Sequence, residues 1–324
     1  MKIVLKNICK YFTEFKIENL NITINDNSFF TLLGPSGCGK TTILRMIAGL
    51  EIPDSGEIYF DDECIFSKEK RINKPVEKRN LGFVFQDFAL WPHMSVYENV
   101  AFPLKARHDK NNLDKRVRDA LRIVELSGFE NRYPSELSGG QMQRVSLARS
   151  IIANPKCILF DEPLSALDAI LRDEMRNSIK KIIKDYKMTA VFVTHDQEEA
   201  MSLSDEILVL NKGLVMQIDN PKNLYNNPKN EFVAKFIGKS NWINNIMFRP
   251  EDVSFELIDD SISFDCIVSS VVFLGERYQI ELKYLDNRII AYSKSEFRYN
   301  QNVSVYINKN KIVQFGGKNE KVIV

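Results

Sequence analysis

Residues 28 to 49 read SFFTLLGPSGCGKTTILRMIAG, and the order of tendencies along them sets the fold. Ser28 to Leu33 is a largely apolar run of the kind that forms a buried strand, and it stops at Gly34. GPSGCGKTT follows, and TILRMIAGL then has the apolar spacing of a helix closed by Gly49. Strand, glycine loop and helix in that order predict a phosphate cradle. Glycines let backbone N–H groups converge on anionic oxygens, and the helix adds the positive end of its dipole. Gly34 to Thr41 satisfies the spacing GxxxxGK[ST]. Lys40 is expected to reach the β- and γ-phosphates of ATP and Thr41 to offer its hydroxyl to Mg²⁺, with Pro35, Ser36, Gly37, Cys38, Gly39 and Thr42 completing the loop. Cys38 stands between two glycines and near Lys40, a positive field that favours thiolate.

Outward from this loop the pattern alternates. Lys2 to Asn7 and Phe15 to Ile24 read as strands, PDSGEIYFDDE as a turn into a hairpin, and NLGFVFQ (80 to 86) as a further strand ending in Gln86. From Ser95 to Ile152 the period is helical. CILF (157 to 160), AVFV (190 to 193) and EILVL (206 to 210) then alternate with helices that begin near Ala169 and Gln197, which predicts a parallel sheet with helices on both faces. Beyond about Glu231, the segments DCIVSSVVFL, RYQIEL, RIIAYS and NVSVYI read as a small antiparallel barrel or sandwich.

The 324 residues, 44% of them hydrophobic, suffice for one large core and a smaller domain. Lys and Arg number 44 against 43 Asp and Glu, a net charge of +1, so no global field draws nucleic acid or anionic lipid, and no nucleic-acid partner is expected. The five cysteines are scattered without zinc or disulfide spacing. No stretch offers the roughly 18 uncharged apolar residues of a membrane span, and the start lacks a secretory h-region, so a cytoplasmic protein is expected.

Cys157 to Phe160 lead into Asp161 and Glu162, a carboxylate pair at the end of a buried strand. Asp161 is expected to hold Mg²⁺ through water, leaving Glu162 free to deprotonate the attacking water. Leu137 to Val145 read LSGGQMQRV, where Ser138, Gly139, Gly140 and Gln141 open a helix and form a second set of backbone donors. Together with GPSGCGKTT, ILFDEP, SALD and VTHD, this string resembles the ABC-type ATPases over about residues 1 to 235.

The resemblance implies an active site that forms only between two chains meeting head to tail, the second donor set facing the γ-phosphate held by the other chain. It also implies that Gln86 senses Mg²⁺ and water, that His195 contacts the γ-phosphate and steadies Glu162, and that Asp168 crosses the dimer interface. Phe12 is placed like the aromatic that stacks on adenine, with Tyr11 the adjacent competitor. The expected fold is α/β: an ABC ATPase core with an antiparallel β subdomain and a helical subdomain (about 92–150) in residues 1–235, then a TOBE-like β-barrel regulatory domain in 236–324.

QDFALWPHMSVYENVAF, DNPKNLYNNPKNEFVAKFIG and FRPEDV look like the importer ATPases of the maltose, iron, polyamine and sulfate group. That implies a peripheral subunit at the cytoplasmic face of the membrane. Its partners would be integral-membrane permease subunits and, indirectly, an extracytoplasmic solute-binding protein. Phe88, Leu90 and Trp91 are expected to receive a permease helix. The competing reading is a cytosolic ABC ATPase with a nucleic-acid or regulatory role.

Overall fold

The chain begins with β1 (Ile3–Tyr11) and β2 (Lys16–Ile24), whose burial alternates in large part because only one face packs inward, followed by β3 (Phe29–Leu33), buried at every position. The computed structural model describes residues 1–13, 15–316 and 321–322, and the chain divides into two compact units, Met1–Pro221 and Lys222–Val324. β3 runs into the glycine loop and α1 (Lys40–Ala48). β4 (Ser55–Phe60), β5 (Glu63–Ser67) and β6 (Ile72–Asn73) join the first two strands in an antiparallel sheet of order β2-β1-β4-β5-β6. β7 (Leu81–Val84) ends before Gln86, so the strand expected to reach that residue is shorter and Gln86 lies in the turn beyond it. Gln86 begins a turn that runs on through Phe88 and Ala89, whose φ of 62° and 47° are left-handed.

The helical part is α2 (Val96–Ala106), α3 (Leu113–Ile123) and α4 (Gly139–Ile151). α2 and α4 both start on reciprocal caps, Ser95 with Glu98 and Ser138 with Gln141. β8 (Cys157–Asp161), α5 (Ala169–Asp185), β9 (Thr189–Thr194), α6 (Gln197–Leu203), β10 (Glu206–Asn211) and β11 (Leu214–Asp219) complete the first unit. The central sheet has the order β11-β10-β3-β9-β8-β7, antiparallel only between β10 and β11. β3, β8 and β9 are buried throughout, which is why they read as continuous apolar runs. β9 lies between β3 and β8, so the glycine loop and Asp161 emerge on either side of the strand that leads to His195.

α1 is anchored at its far end by Arg79, a buried residue whose guanidinium donates to the carbonyls of Met46 (3.0 Å), Ile47 (2.8 Å) and Lys74 (2.9 Å) and to Asn73 Oδ1 (3.1 Å). A cation there satisfies helix-end carbonyls and complements the negative end of the dipole. Burial without a paired carboxylate holds its pKa down at about 10.

The second unit contains α7 (Pro221–Asn226), which starts at the boundary, and α8 (Glu231–Phe236). Then come β12 (Asn241–Ile243), β13 (Ile246–Phe248), β14 (Val253–Ser254), β15 (Ser261–Phe273), β16 (Tyr278–Tyr284), β17 (Asn287–Ser293), β18 (Asn302–Asn308), β19 (Val313–Phe315) and β20 (Lys321–Val322). They form two antiparallel sheets, β12-β13-β19-β20 and β14-β18-β15-β16-β17. Phe264, Cys266 and Val268 alternate inward from β15 to meet Ile280, Leu282, Ile289 and Val305. The division falls after Pro221, earlier than the expected 235, because buried Arg249 donates to the carbonyls of Tyr225, Ala234, Ile237 and Lys239 and so ties α7 and α8 to the β-rich part. Residues 317–320 and 323–324 of the expected barrel lie outside the described residues.

Arg79→Met removes the donor shared by Met46 and Ile47 while keeping most of the apolar stem. It should lower the stability of the first unit by about 2 kcal/mol, the order of cost for leaving buried acceptors unsatisfied. The readout is a lower denaturant midpoint at unchanged slope, and an unshifted midpoint would mean Arg79 anchors nothing.

Candidate active site

Gly34 presses against the end of β10 so closely that a Cβ there would lie 2.2 Å from the carbonyl oxygen of Leu210. Gly39 has φ of 106° and stands against Phe15, where a Cβ would lie 2.3 Å from the ring. It also occupies the N-cap of α1, so no side chain caps that helix and its first turn carries no acid. The first N–H groups of α1 are thus left for an acceptor the chain does not supply by capping. Lys40 is buried, its ammonium donating to the carbonyls of Gly34 (2.7 Å) and Pro35 (2.9 Å) across the loop. Cys38 departs from the thiolate expectation. Its side chain is buried, and burial pushes the thiol pKa up more than nearby Lys40 pulls it down.

Across the sheet, Thr41 Oγ1 donates to Asp161 Oδ1 at 2.8 Å, and Arg45 Nη2 is 3.9 Å from the other carboxylate oxygen. Asp161 is buried, and desolvation raises its pKa against the opposing pull of Thr41 and Arg45. Glu162 has φ of 44°, costly for a residue that carries a Cβ, and its N–H is hooked to the Val193 carbonyl of β9 at 3.1 Å. That reversal separates two consecutive carboxylates: Asp161 faces Thr41, while Glu162 Oε2 meets His195 Nδ1 at 2.9 Å. A cavity of about 50 Å³ beside this pair, enough for water, is lined by Glu162, Ser165, Arg172, Thr194, His195, Asp196 and Glu199. Glu199 is buried there with a raised pKa, chiefly from desolvation, and accepts from Thr194 Oγ1. Neither Arg172 nor Glu199 stood out in the sequence, because their only signal is spacing from Asp168 and His195.

The aromatic candidates Tyr11 and Phe12 are both exposed, 53% and 45%, so neither serves as core. Phe12 stacks beside Phe15 (centroids 6.1 Å apart, planes 23° apart) with Lys10 Nζ 5.3 Å from its ring, and Phe15 in turn meets Gly39. Phe15 is therefore the link between this patch and the glycine loop, and the sequence reading passed over it as a strand residue.

Ser138 and Gln141 bond each other: Ser138 Oγ accepts the Gln141 N–H at 3.3 Å and Gln141 Oε1 accepts the Ser138 N–H at 3.0 Å. Gly139 and Gly140 pass close to Leu167 and Leu171, and Asp168 caps α5 by accepting the Leu171 N–H at 3.0 Å. Among the described residues no side-chain hydrogen bond or ion pair joins Ser138–Gln141 or Asp168 to the glycine loop. Gln86 is exposed in its turn. Phe88 and Leu90 are partly buried against the core of the first unit, while Trp91 packs on Phe102 with centroids 4.1 Å apart.

Comparison with known proteins places these features in context. A family model described as ABC transporter matches residues 17–165. A spermidine/putrescine import ATP-binding protein of Clostridium acetobutylicum is 49% identical over 267 residues, covering 82% of this chain and 73% of that protein. A sulfate/thiosulfate import ATP-binding protein of Pectobacterium atrosepticum is 46% identical over 269 residues, covering 79% and 80%. Among solved structures, the dimeric post-hydrolysis state of an ATP-binding cassette bound to ADP and Pi aligns with a TM-score of 0.58 at 34% identity, covering 68% of this chain and 98% of that one.

The raised pKa of Asp161 means the folded chain holds its proton more tightly than the unfolded chain. Its contribution to stability therefore falls as pH rises from the ordinary carboxylate value through the raised one. Asp161→Asn removes a buried charge and should raise the melting temperature without nucleotide at neutral pH by about 2–4 °C, the shift that roughly 1 kcal/mol gives in a domain of this size. A lower melting temperature would show that the ionised carboxylate stabilises the fold.

Proposed function

This chain belongs to the ABC transporter family of ATP-binding subunits, and we propose on that premise that it powers an importer by closing on a second copy of itself around MgATP and driving a separate permease. It is an ATPase. Lys40 exchanges the carbonyls of Gly34 and Pro35 for phosphate oxygens, a change from neutral to charged acceptors that favours the bound state. The uncapped start of α1 supplies N–H donors to the same group. Stacking on adenine falls to Phe12, whose ring is already backed by Phe15.

Mg²⁺, when bound, neutralises charge that develops on the phosphates. Thr41 and Asp161 would hold it, with Gln86 reaching in from its turn. They fit: a hydroxyl and a carboxylate converge as hard oxygen donors, and no cluster of three metal-ligating His, Cys, Asp or Glu exists among the described residues, so water and phosphate would fill the remaining positions, as Mg²⁺ prefers.

Glu162 acts as general base, taking a proton from the attacking water onto its carboxylate. His195 holds that carboxylate and its strained backbone keeps it apart from Asp161. Ser138 uses an oxygen lone pair to accept the Gln141 N–H and keeps its own O–H proton, so a hydroxyl donor and the start of α4 can face the γ-phosphate of a partner chain. Asp168 lies at that same junction. The two relatives are named for a polycation and a dianion, so solute choice does not reside in this subunit. It belongs to the permease and an external binding protein, with this chain docked peripherally at the cytoplasmic face and Phe88, Leu90 and Trp91 beside the docking groove.

The observation that carries the proposal is the pairing of two contacts at the ends of neighbouring strands, Thr41 with Asp161 and His195 with Glu162. Glu162→Gln should retain ATP binding while turnover falls by about 100-fold or more, the scale of a lost general base. Turnover near the parent level would remove Glu162 from that role.

A further inference from the structure

The turn that carries Gln86 continues through Phe88 and Ala89, two consecutive left-handed residues, neither of them glycine. Such backbone persists only where its surroundings over-determine it. Both carbonyls of the strained pair are acceptors of one guanidinium: Arg149 Nη1 donates to Ala89 O at 2.6 Å and Nη2 to Phe88 O at 2.8 Å. Arg149 is only 8% exposed, and its guanidinium lies 5.1 Å from the ring of Trp91. Burial holds its pKa down at about 10, with Asp87 the one charge pulling the other way. A second buried side chain grips the same segment from α2: Asn99 accepts the Trp91 N–H at 2.9 Å and donates to the carbonyls of Trp91, Met94 and Ser95, each at 3.1 Å.

The helix that presents Arg149 is α4, whose start is capped by Ser138 and Gln141. From Ser138 to Arg149 the helix runs about 16 Å at 1.5 Å per residue. Ser150, the next residue, donates to the Phe83 carbonyl of β7 at 2.8 Å, so the C-terminal turn of α4 is fastened both to the strand before Gln86 and to the turn after it. α4 is thus tied to both flanks of Gln86, the strand before it and the turn after it.

We propose that Arg149 is a positioning residue for hydrolysis: its two-pronged grip on Phe88 and Ala89 holds Gln86 in register with α4, so that any displacement of the Ser138 end is delivered to Gln86 as one motion. The proposal rests on the reading of Gln86 as a residue that acts at the nucleotide. It requires a planar fork with two donors, which a lysine ammonium cannot reproduce.

The test uses the full chain and MgATP, with Arg149→Lys, Gln86→Ala and the double variant compared for kcat, KM, binding of a fluorescent ATP analogue and melting temperature. Arg149→Lys should lower kcat about tenfold with KM and analogue binding within about twofold of the parent, a loss confined to the step after binding. The double variant should be no slower than Gln86→Ala alone, because two residues acting through one group are not additive. Losses that multiply, or a kcat that survives while only the melting temperature falls, would reduce Arg149 to a structural staple and overturn the proposal. If Gln86→Ala alone keeps the parent kcat, the role of Gln86 fails first and the grip on its turn has nothing to deliver.

Discussion

α1 starts with no cap from its own chain, and much of the first unit is arranged around that helix end. A helix start exposes N–H groups that need an acceptor, and here the N-cap is a glycine at φ 106° that offers none. The loop before it can approach β10 only because Gly34 lacks a Cβ, and Gly39 can lie against Phe15 for the same reason. Burying β3 on both faces fixes where that helix end emerges, and β8 and β9 bring Asp161 and His195 to the same edge. Thr41 then pairs with Asp161 at the end of β8, and Glu162 with His195 beyond β9.

Three buried arginines do the fastening, and each donates to backbone carbonyls and, among the described residues, to no carboxylate. Arg79 closes the far end of α1, Arg149 grips the turn after Gln86, and Arg249 gathers four carbonyls in the second unit with its guanidinium 4.1 Å from the Tyr225 ring. A fixed fork of five donors suits this task, since the carbonyls at helix ends and tight turns are the groups that secondary structure leaves unpaired. The cost is desolvation, visible in the lowered pKa of all three.

Much of this was legible in the residues. The central strands read as apolar runs because they are buried on both faces, and the glycine loop could be located because each glycine answers a backbone requirement. What local pattern could not show were contacts set by tertiary folding. Cys38 was expected to be a thiolate from its neighbours in sequence, but burial decides its protonation. The strand expected to reach Gln86 stops at Val84, and the turn beyond it is gripped by Arg149, sixty residues downstream and invisible to any window of sequence. Phe15 read as one more strand residue, yet it backs Phe12 and walls in Gly39.

The central claim is that one chain holds half of each active site, Lys40 on one side and Ser138 on the other. It is tested most directly by mixing two inactive chains, Lys40→Ala and Ser138→Arg, and measuring ATP turnover of the mixture. In a head-to-tail pair of unlike chains both defects fall in one site and the other site is intact, so the mixture should turn over ATP well above the mean of its two parents. Turnover no higher than that mean, with mixed pairs shown to form, would contradict the shared site.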